Sequence, residues 1–175
     1  MPDTYSRLLV DRDHEYLKVS INRPGDRNSI DSLLMDELVE LLENAEASDV
    51  RVVVFTGSGD TYFIGGADGI EMMQCDPDSG RAFSNKIQAL FNRMEQSPLI
   101  LVAAINRLCF GGGFEFAMAC DFRIAAESAR IGLPEVKVGL IPGGGGTQRL
   151  PRLVGTGKAM QMILSGKLYP AKEAL

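Results

Sequence analysis

The sequence is poor in the residues on which many enzyme classes depend. It contains one histidine, His14, which lies within the charged stretch from Asp11 to Glu15. Histidine commonly activates serine and cysteine nucleophiles and is a frequent ligand of catalytic zinc. A single histidine in a turn-like segment therefore argues against a histidine-based triad and against a zinc site.

Cysteine is also scarce. The three residues Cys75, Cys109 and Cys120 are odd in number and lack the short spacings of metal sites. Disulfide frameworks use paired cysteines and occur mainly in secreted proteins. The pattern predicts reduced, buried thiols in a cytoplasmic protein, and no metal site.

Long apolar runs are absent as well. No stretch reaches the roughly 18 residues that a membrane-spanning helix requires. The beginning of the chain, Met1 to Arg7, has neither the apolar core of a signal peptide nor the basic, amphipathic pattern of an organelle-targeting segment. These absences predict a cytoplasmic protein without a membrane partner.

Neither sign of charge forms an extended block. The formal net charge is −5 at pH 7, and the lysines and arginines are dispersed along the chain. Binding to the phosphates of nucleic acids needs concentrated positive charge, so no nucleic-acid partner is expected. An anionic ligand would have to be held by local cations and backbone N–H groups.

Length and composition are those of one globular domain, residues 1–175. The hydrophobic fraction is 45% and the charged fraction 23%, which is enough apolar material for a substantial core. Apolar periodicity alternates between strand and helix, which indicates the α/β class. We predict a hairpin at 8–21 and strands at 51–56, 99–105 and 121–125. We predict helices at 79–96, 114–119, 144–153 and 157–164, and a further helix after the hairpin that is capped by Ser29 or Asp31.

The most informative stretch runs from Gly111 to Gly146. It opens on three glycines, closes on four, and carries Glu115 and Glu135 among mostly apolar residues. A glycine turn leading into a helix offers unpaired N–H groups to an anion. An acid in the first turn of a helix is more often a favourable end charge than a catalyst. Two carboxylates in apolar surroundings can, however, serve as a general acid and base.

The same residues carry a family resemblance. The segment GGGFEFAMACDFRIAAESARIGLPEVKVGLIPGGGGTQRLPRLVG resembles the signature of the enoyl-CoA hydratase/isomerase (crotonase) family, and similarity extends from Ile21–Pro24 to Ala171–Ala174. The resemblance implies a crotonase fold, a spiral of repeated ββα units. Periodicity alone would predict a doubly wound sheet, and the sequence has no visible internal repeat.

The resemblance also implies an oxyanion hole for a thioester enolate. By similarity, one donor is the N–H of Gly112, and the other is the N–H of Ala67 within the motif Tyr62–Asp68. Preorganised donors of this kind stabilise charge that develops in the transition state. Without the resemblance, the second motif would be interpreted as an ordinary tight turn.

Glu115 and Glu135 match the two glutamates with which hydratases of the family hold and deprotonate water. Their presence favours addition of water to a 2-enoyl-CoA. A Δ3-Δ2 enoyl-CoA isomerase, or another acyl-CoA enzyme of the crotonase type, remains an alternative, because isomerases of the family often keep one of the two. A non-catalytic acyl-CoA-binding fragment is a third hypothesis.

The resemblance places the coenzyme A ester along the first loop. Arg27 stands where the family commonly has a cation for the phosphates, with a solvated surface arginine as the alternative. The segment Gly66, Ala67 and Asp68 would flank the ligand, and the N–H of Gly143 is a weaker candidate donor. Coenzyme A is then part of the substrate, and no separate cofactor is expected. The sequence departs from the family at Phe114, Ile64 and Gly65.

The end of the chain resembles the beginning of a helical region that the family continues further. Residues 170–175 are the expected start of that region, so we expect a C-terminally truncated crotonase core. Family members are trimers or hexamers, and the resemblance implies the same here. The helix at 157–164 is expected to leave Met160, Ile163 and Leu164 without packing partners.

Overall fold

The computed structural model describes residues 5–174. Residues 1–4, where we expect no targeting segment, and Leu175, at the expected start of a helical region, lie outside the described residues. The strands are β1 (Leu8–Asp13), β2 (Tyr16–Ile21), β3 (Val52–Gly57), β4 (Tyr62–Ile64), β5 (Ile100–Ile105), β6 (Leu108–Phe110), β7 (Phe122–Ala125), β8 (Arg130–Gly132) and β9 (Tyr169–Pro170). The helices are α1 (Ser32–Glu46), α2 (Gly69–Met73), α3 (Pro77–Glu95), α4 (Gly112–Met118), α5 (Gly146–Val154), α6 (Thr156–Ser165) and α7 (Ala171–Ala174), with 3₁₀ turns at Pro24–Asp26 and Glu135–Val138.

The strands form two sheets rather than one. The larger sheet has the order β1-β2-β3-β5-β7, and the smaller has the order β4-β6-β8-β9. The first hairpin and the β8–β9 pair are antiparallel, and the remaining neighbours are parallel. Each pair β3–β4, β5–β6 and β7–β8 gives one strand to each sheet and is followed by a helix. This repeat is the expected spiral of ββα units, and the doubly wound sheet indicated by periodicity is wrong.

Four phenylalanine rings hold the two sheets and their helices together. Phe116 of α4 meets Phe55 of β3 edge to face, with ring centroids 5.0 Å apart. The same ring meets Phe91 of α3 at 6.0 Å and Phe63 of β4 at 6.2 Å. Edge-to-face pairs add to the gain from burial. Because all four side chains are fully buried, α4 is fixed between the sheets, and so is its neighbouring residue Glu115.

The long predicted elements are confirmed to within a few residues. Asp31, one of the two predicted caps, accepts the N–H of Leu34 at 2.7 Å and begins α1. The apolar positions that defined α1 and α3 are buried, except for the half-buried Phe83. The short strands β4, β6 and β8 and the helix α2 lie in segments for which the sequence predicts no strand or helix. Three-residue strands are too short to show an alternating pattern.

The apolar exposure predicted for α6 is confirmed in two of three residues. Met160 is 55% exposed and Leu164 is 67% exposed. Ile163 is half-buried against the core, so its prediction was wrong. Among residues 5–174, no helix is both long and apolar enough to cross a bilayer.

The start of α4 allows a direct test of this packing. A Cβ on Gly113 would lie 2.1 Å from the carbonyl oxygen of Ile64 and 2.7 Å from its Cβ, so α4 or β4 would have to move. We expect Gly113→Ala to lower the free energy of unfolding by about 2 kcal/mol or more. Urea denaturation measures the change.

The matched control is Gly157→Ala in α6, where a Cβ meets no atom within 4 Å. Alanine suits a helix better than glycine, so this variant should be unchanged or up to about 1 kcal/mol more stable. Equal effects at the two positions would contradict the close approach of α4 to β4.

Candidate active site

Glu115 is a buried carboxylate held by backbone N–H groups. It lies in the first turn of α4, as the sequence predicts, and is 2% exposed. Its Oε1 accepts the N–H of Gly144 at 2.9 Å and the N–H of Gly146 at 2.7 Å. Hydrogen bonds from N–H groups favour the ionised form of a carboxyl group. The site therefore contains a buried acceptor whose position is fixed from outside its own helix.

The glycine loop, Gly143–Gly146, is shaped around this carboxylate. A Cβ on Gly144 would lie 2.7 Å from Oε2 of Glu115, and a Cβ on Gly146 would lie 2.9 Å from Oε1. Side chains at these positions would separate the N–H groups from the carboxylate. The run of glycines thus follows from the close approach of backbone to carboxylate.

Glu135 approaches the same region from the 3₁₀ turn Glu135–Val138. Its Oε1 lies 3.4 Å from where a Cβ of Gly111 would stand, and Gly111 itself adopts φ +56°. Its Oε2 is buried and has no hydrogen-bond partner within residues 5–174. The fold therefore brings the two predicted glutamates to the same glycine turn, one with N–H partners and the other with an unpaired oxygen.

The surroundings raise the pKa values of both carboxyl groups, but the groups that oppose the rise differ between the two. Burial raises the pKa of Glu115, while the N–H groups of Gly146 and Gly144 and the charge of Arg149 oppose that rise. Burial raises the pKa of Glu135 to about 7, and repulsion from Glu115 adds to it. Neighbouring carboxyl groups with unequal environments are the usual basis for separate acid and base roles.

Ala67 and Gly112 lie side by side at the other edge of the site. Ala67 forms a parallel bridge with Ile30, in which the bonds are made by Gly66 O and Asp68 N rather than by its own N–H. A Cβ on Gly112 would lie 3.2 Å from the nitrogen of Ala67. Across the described part of the chain, neither the Ala67 N–H nor the Gly112 N–H donates a hydrogen bond. The structure thus brings together the two backbone donors named from the sequence.

The side chain of Asp68 is committed to the protein itself. It caps α2 by accepting the N–H groups of Ile70 and Glu71, and its Oδ2 lies 2.9 Å from Nη1 of Arg23. Burial alone would raise the pKa of Asp68, but the hydrogen bond from Glu71 and the contact with Arg23 bring it below its usual value. Asp68 therefore anchors the Gly66–Ala67 segment, and its predicted contact with a ligand stays a prediction.

Arg27 lies against the same segment with its side chain exposed. Its carbonyl accepts the N–H of Gly65 at 2.9 Å, and a Cβ on Gly65 would lie 2.8 Å from the Cβ of Arg27. Within the described range, its guanidinium forms no ion pair or hydrogen bond. Arg27 thus packs against Gly65, two residues before Ala67, and its predicted contact with the coenzyme A phosphates stays a prediction.

The glycines that bond to Glu115 are Gly144 and Gly146 rather than Gly143, whose predicted role as a donor to the water or the oxyanion stays a prediction. The carbonyl of Gly143 instead accepts hydrogen bonds from Ser84 at 3.1 Å and Gln88 at 2.7 Å. Sequence reasoning missed Gly144, Gly146 and Arg149. The four consecutive glycines were the available signal, but a sequence does not tell which N–H of such a run faces the carboxylate.

Other predicted features fall outside this site. Cys109 and Cys120 are buried thiols, while Cys75 is only half-buried, contrary to the expectation for all three. The described residues contain no cluster of three or more histidine, cysteine, aspartate or glutamate side chains that could hold a metal ion. Phe114 and Ile64, which depart from the family pattern, are core residues.

Fold and site together define a crotonase-type protein, and comparison with known proteins assigns the family. The family model for enoyl-CoA hydratase/isomerase matches residues 12–175. The chain therefore belongs to the enoyl-CoA hydratase/isomerase family.

Three relatives illustrate the similarity. The chain is 40% identical over 171 residues to a short-chain-enoyl-CoA hydratase of Clostridium acetobutylicum, covering 97% of this chain and 66% of that protein. It is 38% identical over 164 residues to an enoyl-CoA isomerase/hydratase of Zymoseptoria tritici, covering 91% and 54%. The crystal structure of an enoyl-CoA hydratase from Bacillus anthracis matches with a TM-score of 0.93 and 41% identity, covering 97% and 66%. The chain thus spans about two thirds of the length of the first of these relatives.

The carboxyl group of Glu135, whose Oε2 is buried without a partner among residues 5–174, should make the stability of the fold depend on pH. Its pKa is about 7 in the fold against 4.5 as the ordinary value, so the stabilising contribution of its protonated form is present below pH 4.5 and lost as the pH rises through 7. Allowing for its partial exposure, we expect about 1–2 kcal/mol to be lost between pH 5 and pH 8.

Urea denaturation of the native sequence and of Glu135→Gln at the two pH values measures this difference. The glutamine variant should lack that part of the pH dependence, and Glu127→Gln, at an exposed position, should retain it. The same pH dependence in all three proteins would contradict the raised pKa.

Proposed function

We propose that the protein adds water across the 2,3 double bond of a 2-enoyl-CoA thioester. The observation that carries this proposal is the pair of carboxyl groups at one glycine turn: Glu115 bonded to two N–H groups and Glu135 with a buried, unpaired oxygen. Such a pair suits a reaction that removes one proton and delivers another. The name of the Clostridium relative, a short-chain-enoyl-CoA hydratase, supports the same reaction.

The two carboxyl groups are assigned opposite roles. Glu115, whose N–H partners favour the carboxylate, accepts a proton from water while the water oxygen bonds to C3 of the substrate. Electrons of the double bond then move toward the thioester carbonyl, giving an enolate. Glu135, whose pKa burial raises to about 7, donates its proton to C2. Proton exchange afterwards returns the pair to its starting state.

The N–H groups of Ala67 and Gly112 are assigned to the enolate oxygen. Their adjacency and their lack of partners in the described residues support this role. Donors fixed before the reaction stabilise a developing charge without reorganisation, which is where such sites gain most of their rate. Removing one donor typically costs about 100-fold or more in rate.

Coenzyme A is proposed to enter as part of the substrate, with no separate cofactor. Arg27 is assigned to its phosphates because the guanidinium is exposed and has no partner among the described residues. Gly66, Ala67 and Asp68 would line the path of the ester, and the Gly143 N–H stays a candidate donor. A homotrimer or hexamer and a cytoplasmic location remain proposals.

Isomerisation of a 3-enoyl-CoA is the second candidate function. A single carboxyl group that exchanges its proton near neutral pH can move a proton between C4 and C2, and Glu135 has the required pKa of about 7. The name of the Zymoseptoria relative includes both activities.

The loss of conjugated enoyl-thioester absorbance on incubation with crotonyl-CoA tests hydration. A gain of the same absorbance from a 3-enoyl-CoA tests isomerisation. We expect hydration to dominate. Binding of crotonyl-CoA without either change would favour the non-catalytic alternative and overturn the proposed function.

The carboxyl roles are tested by Glu115→Gln and Glu135→Gln. Each change keeps the shape of the side chain and removes its proton transfer, so each should lower kcat by about 100-fold or more with little change in substrate binding. Glu127→Gln is the matched control on an exposed glutamate and should keep full activity. Turnover at the native rate in either site variant would contradict the paired mechanism.

The oxyanion donor is tested by comparing Gly112→Pro with Gly112→Ala. Both variants place a Cβ near Ala67, but only proline removes the N–H, and the first position of a helix is where proline is best tolerated. Proline should lower kcat by about 100-fold or more relative to alanine. Equal rates in two folded variants would show that the donor lies elsewhere.

A further inference from the structure

Arg149 is a buried cation that connects the glycine loop to α3. It is 8% exposed, and its Nη1 donates to the carbonyl of Gly144 at 2.8 Å. Its Nη2 lies 2.8 Å from Oδ1 of Asn92 and 2.7 Å from Oε2 of Glu95. The guanidinium also stands over the ring of Phe91, 5.9 Å from its centroid. These contacts leave the side chain little freedom, since a planar guanidinium satisfies several partners only in one orientation.

The bond from Arg149 falls between the two peptides that hold Glu115. The Gly144 N–H and the Gly146 N–H belong to the peptides on either side, and the Gly144 carbonyl belongs to a peptide between them. Fixing that carbonyl orients the planar peptide from Gly144 to Gly145. The two flanking peptides are joined to it through the Cα atoms of Gly144 and Gly145, so the places of their N–H groups are tied to its own. Arg149 therefore holds the middle peptide of the segment that delivers both N–H groups to the carboxylate.

The loop needs such a clamp because it is made of glycine. Glycine backbones lose the most conformational freedom on folding. The carbonyl of Gly143 is held from α3 by Ser84 and Gln88, and the next carbonyl, that of Gly144, is held by the side chain of Arg149. The carbonyl of Gly145 accepts the N–H groups of Gln148 and Arg149 at the start of α5. A Cβ on Gly145 would lie 2.2 Å from Nη1 of Arg149, so the loop is fitted to the guanidinium as closely as to Glu115.

We propose that Arg149 is a positioning residue for Glu115, acting through the Gly144 carbonyl to keep two N–H groups on the carboxylate of the water-activating glutamate. This inference rests on the proposed function for its catalytic meaning. The positioning itself stands on the hydrogen bonds and can be measured without substrate.

The charge of Arg149 acts in the same direction as its hydrogen bond. The charged groups facing Glu115 from the elements around it are Arg149 on α5 and Glu135 on the 3₁₀ turn. Strands β4 and β6 beside α4 contain no carboxylate and no cation. On its far side Arg149 meets Glu95, which is half-exposed and offsets part of its charge. Loss of the cation should therefore make Glu115 easier to protonate.

The first test compares Arg149→Met and Arg149→Lys with Arg152→Met, an exposed position on the same helix. Arg149→Met should lower kcat by about 10- to 100-fold through misplacement of the base, with KM within about threefold of the native value. The acid limb of its kcat/KM profile should move to higher pH. Arg149→Lys should restore the position of that limb, because lysine keeps the positive charge. It should restore only part of kcat, because lysine lacks the planar guanidinium. Arg152→Met should match the native protein in every readout.

The second test needs no turnover. In Arg149→Met, the backbone amide protons of Gly144 and Gly146 should exchange with solvent faster, by at least about tenfold, while amides of β5 keep their protection. If that variant does not fold, Asn92→Ala, which removes one support of the guanidinium, should show the same change to a smaller degree. Activity failing in the native protein would overturn the proposed function, whereas unchanged amide exchange would overturn the positioning role.

Two further outcomes would also contradict this inference. One is a pH profile of Arg149→Met that coincides with that of Arg152→Met. The other is a loss of activity in Arg149→Met expressed in KM alone, which would make Arg149 a substrate-binding residue instead.

Discussion

Two backbone N–H groups on one buried carboxylate oxygen are the contact on which the site depends. Taking a carboxylate out of water is expensive unless hydrogen bonds replace its hydration. Gly144 and Gly146 supply those bonds to Glu115. They can approach only because neither has a side chain, and their loop stays in place because α3 and Arg149 hold its carbonyls. Glu135 receives no such bond on Oε2, and this difference separates two otherwise identical chemical groups.

The spiral of ββα units explains how such distant residues meet. Each unit gives one strand to each sheet and then a helix, so successive turns between β-strand and helix stack along one edge. Gly66–Ala67 follows β4, Gly111–Gly112 follows β6, and Glu135 follows β8 shortly after. The site is thus assembled from three consecutive units, with the phenylalanine cluster around Phe116 fixing α4 among them.

The long helices and strands could be predicted from the sequence, and Glu115 and Glu135 could be singled out as candidates. The backbone contacts that the loops make to these glutamates could not be predicted. Helices α1 and α3 are long enough for their apolar periodicity to be unambiguous, whereas β4, β6 and β8 have three residues each. The family resemblance, not periodicity, indicated the two-sheet spiral. The bonds from Gly144 and Gly146 to Glu115 were not predicted, because the direction of an N–H depends on dihedral angles that four identical residues do not encode. Arg149 was missed because its function depends on a fold that joins α5 to α3.

The central claim is that two N–H groups favour the ionised form of Glu115, whereas burial raises the pKa of Glu135 to about 7. Carboxyl-carbon NMR of the protein labelled in its glutamate side chains measures this directly, with Glu115→Gln and Glu135→Gln assigning the two resonances. As the pH falls from 8, Glu135 should take up its proton first, with a midpoint of about 7, and Glu115 should follow at lower pH. A midpoint for Glu135 near that of the exposed glutamates, or protonation of Glu115 before Glu135, would contradict the account.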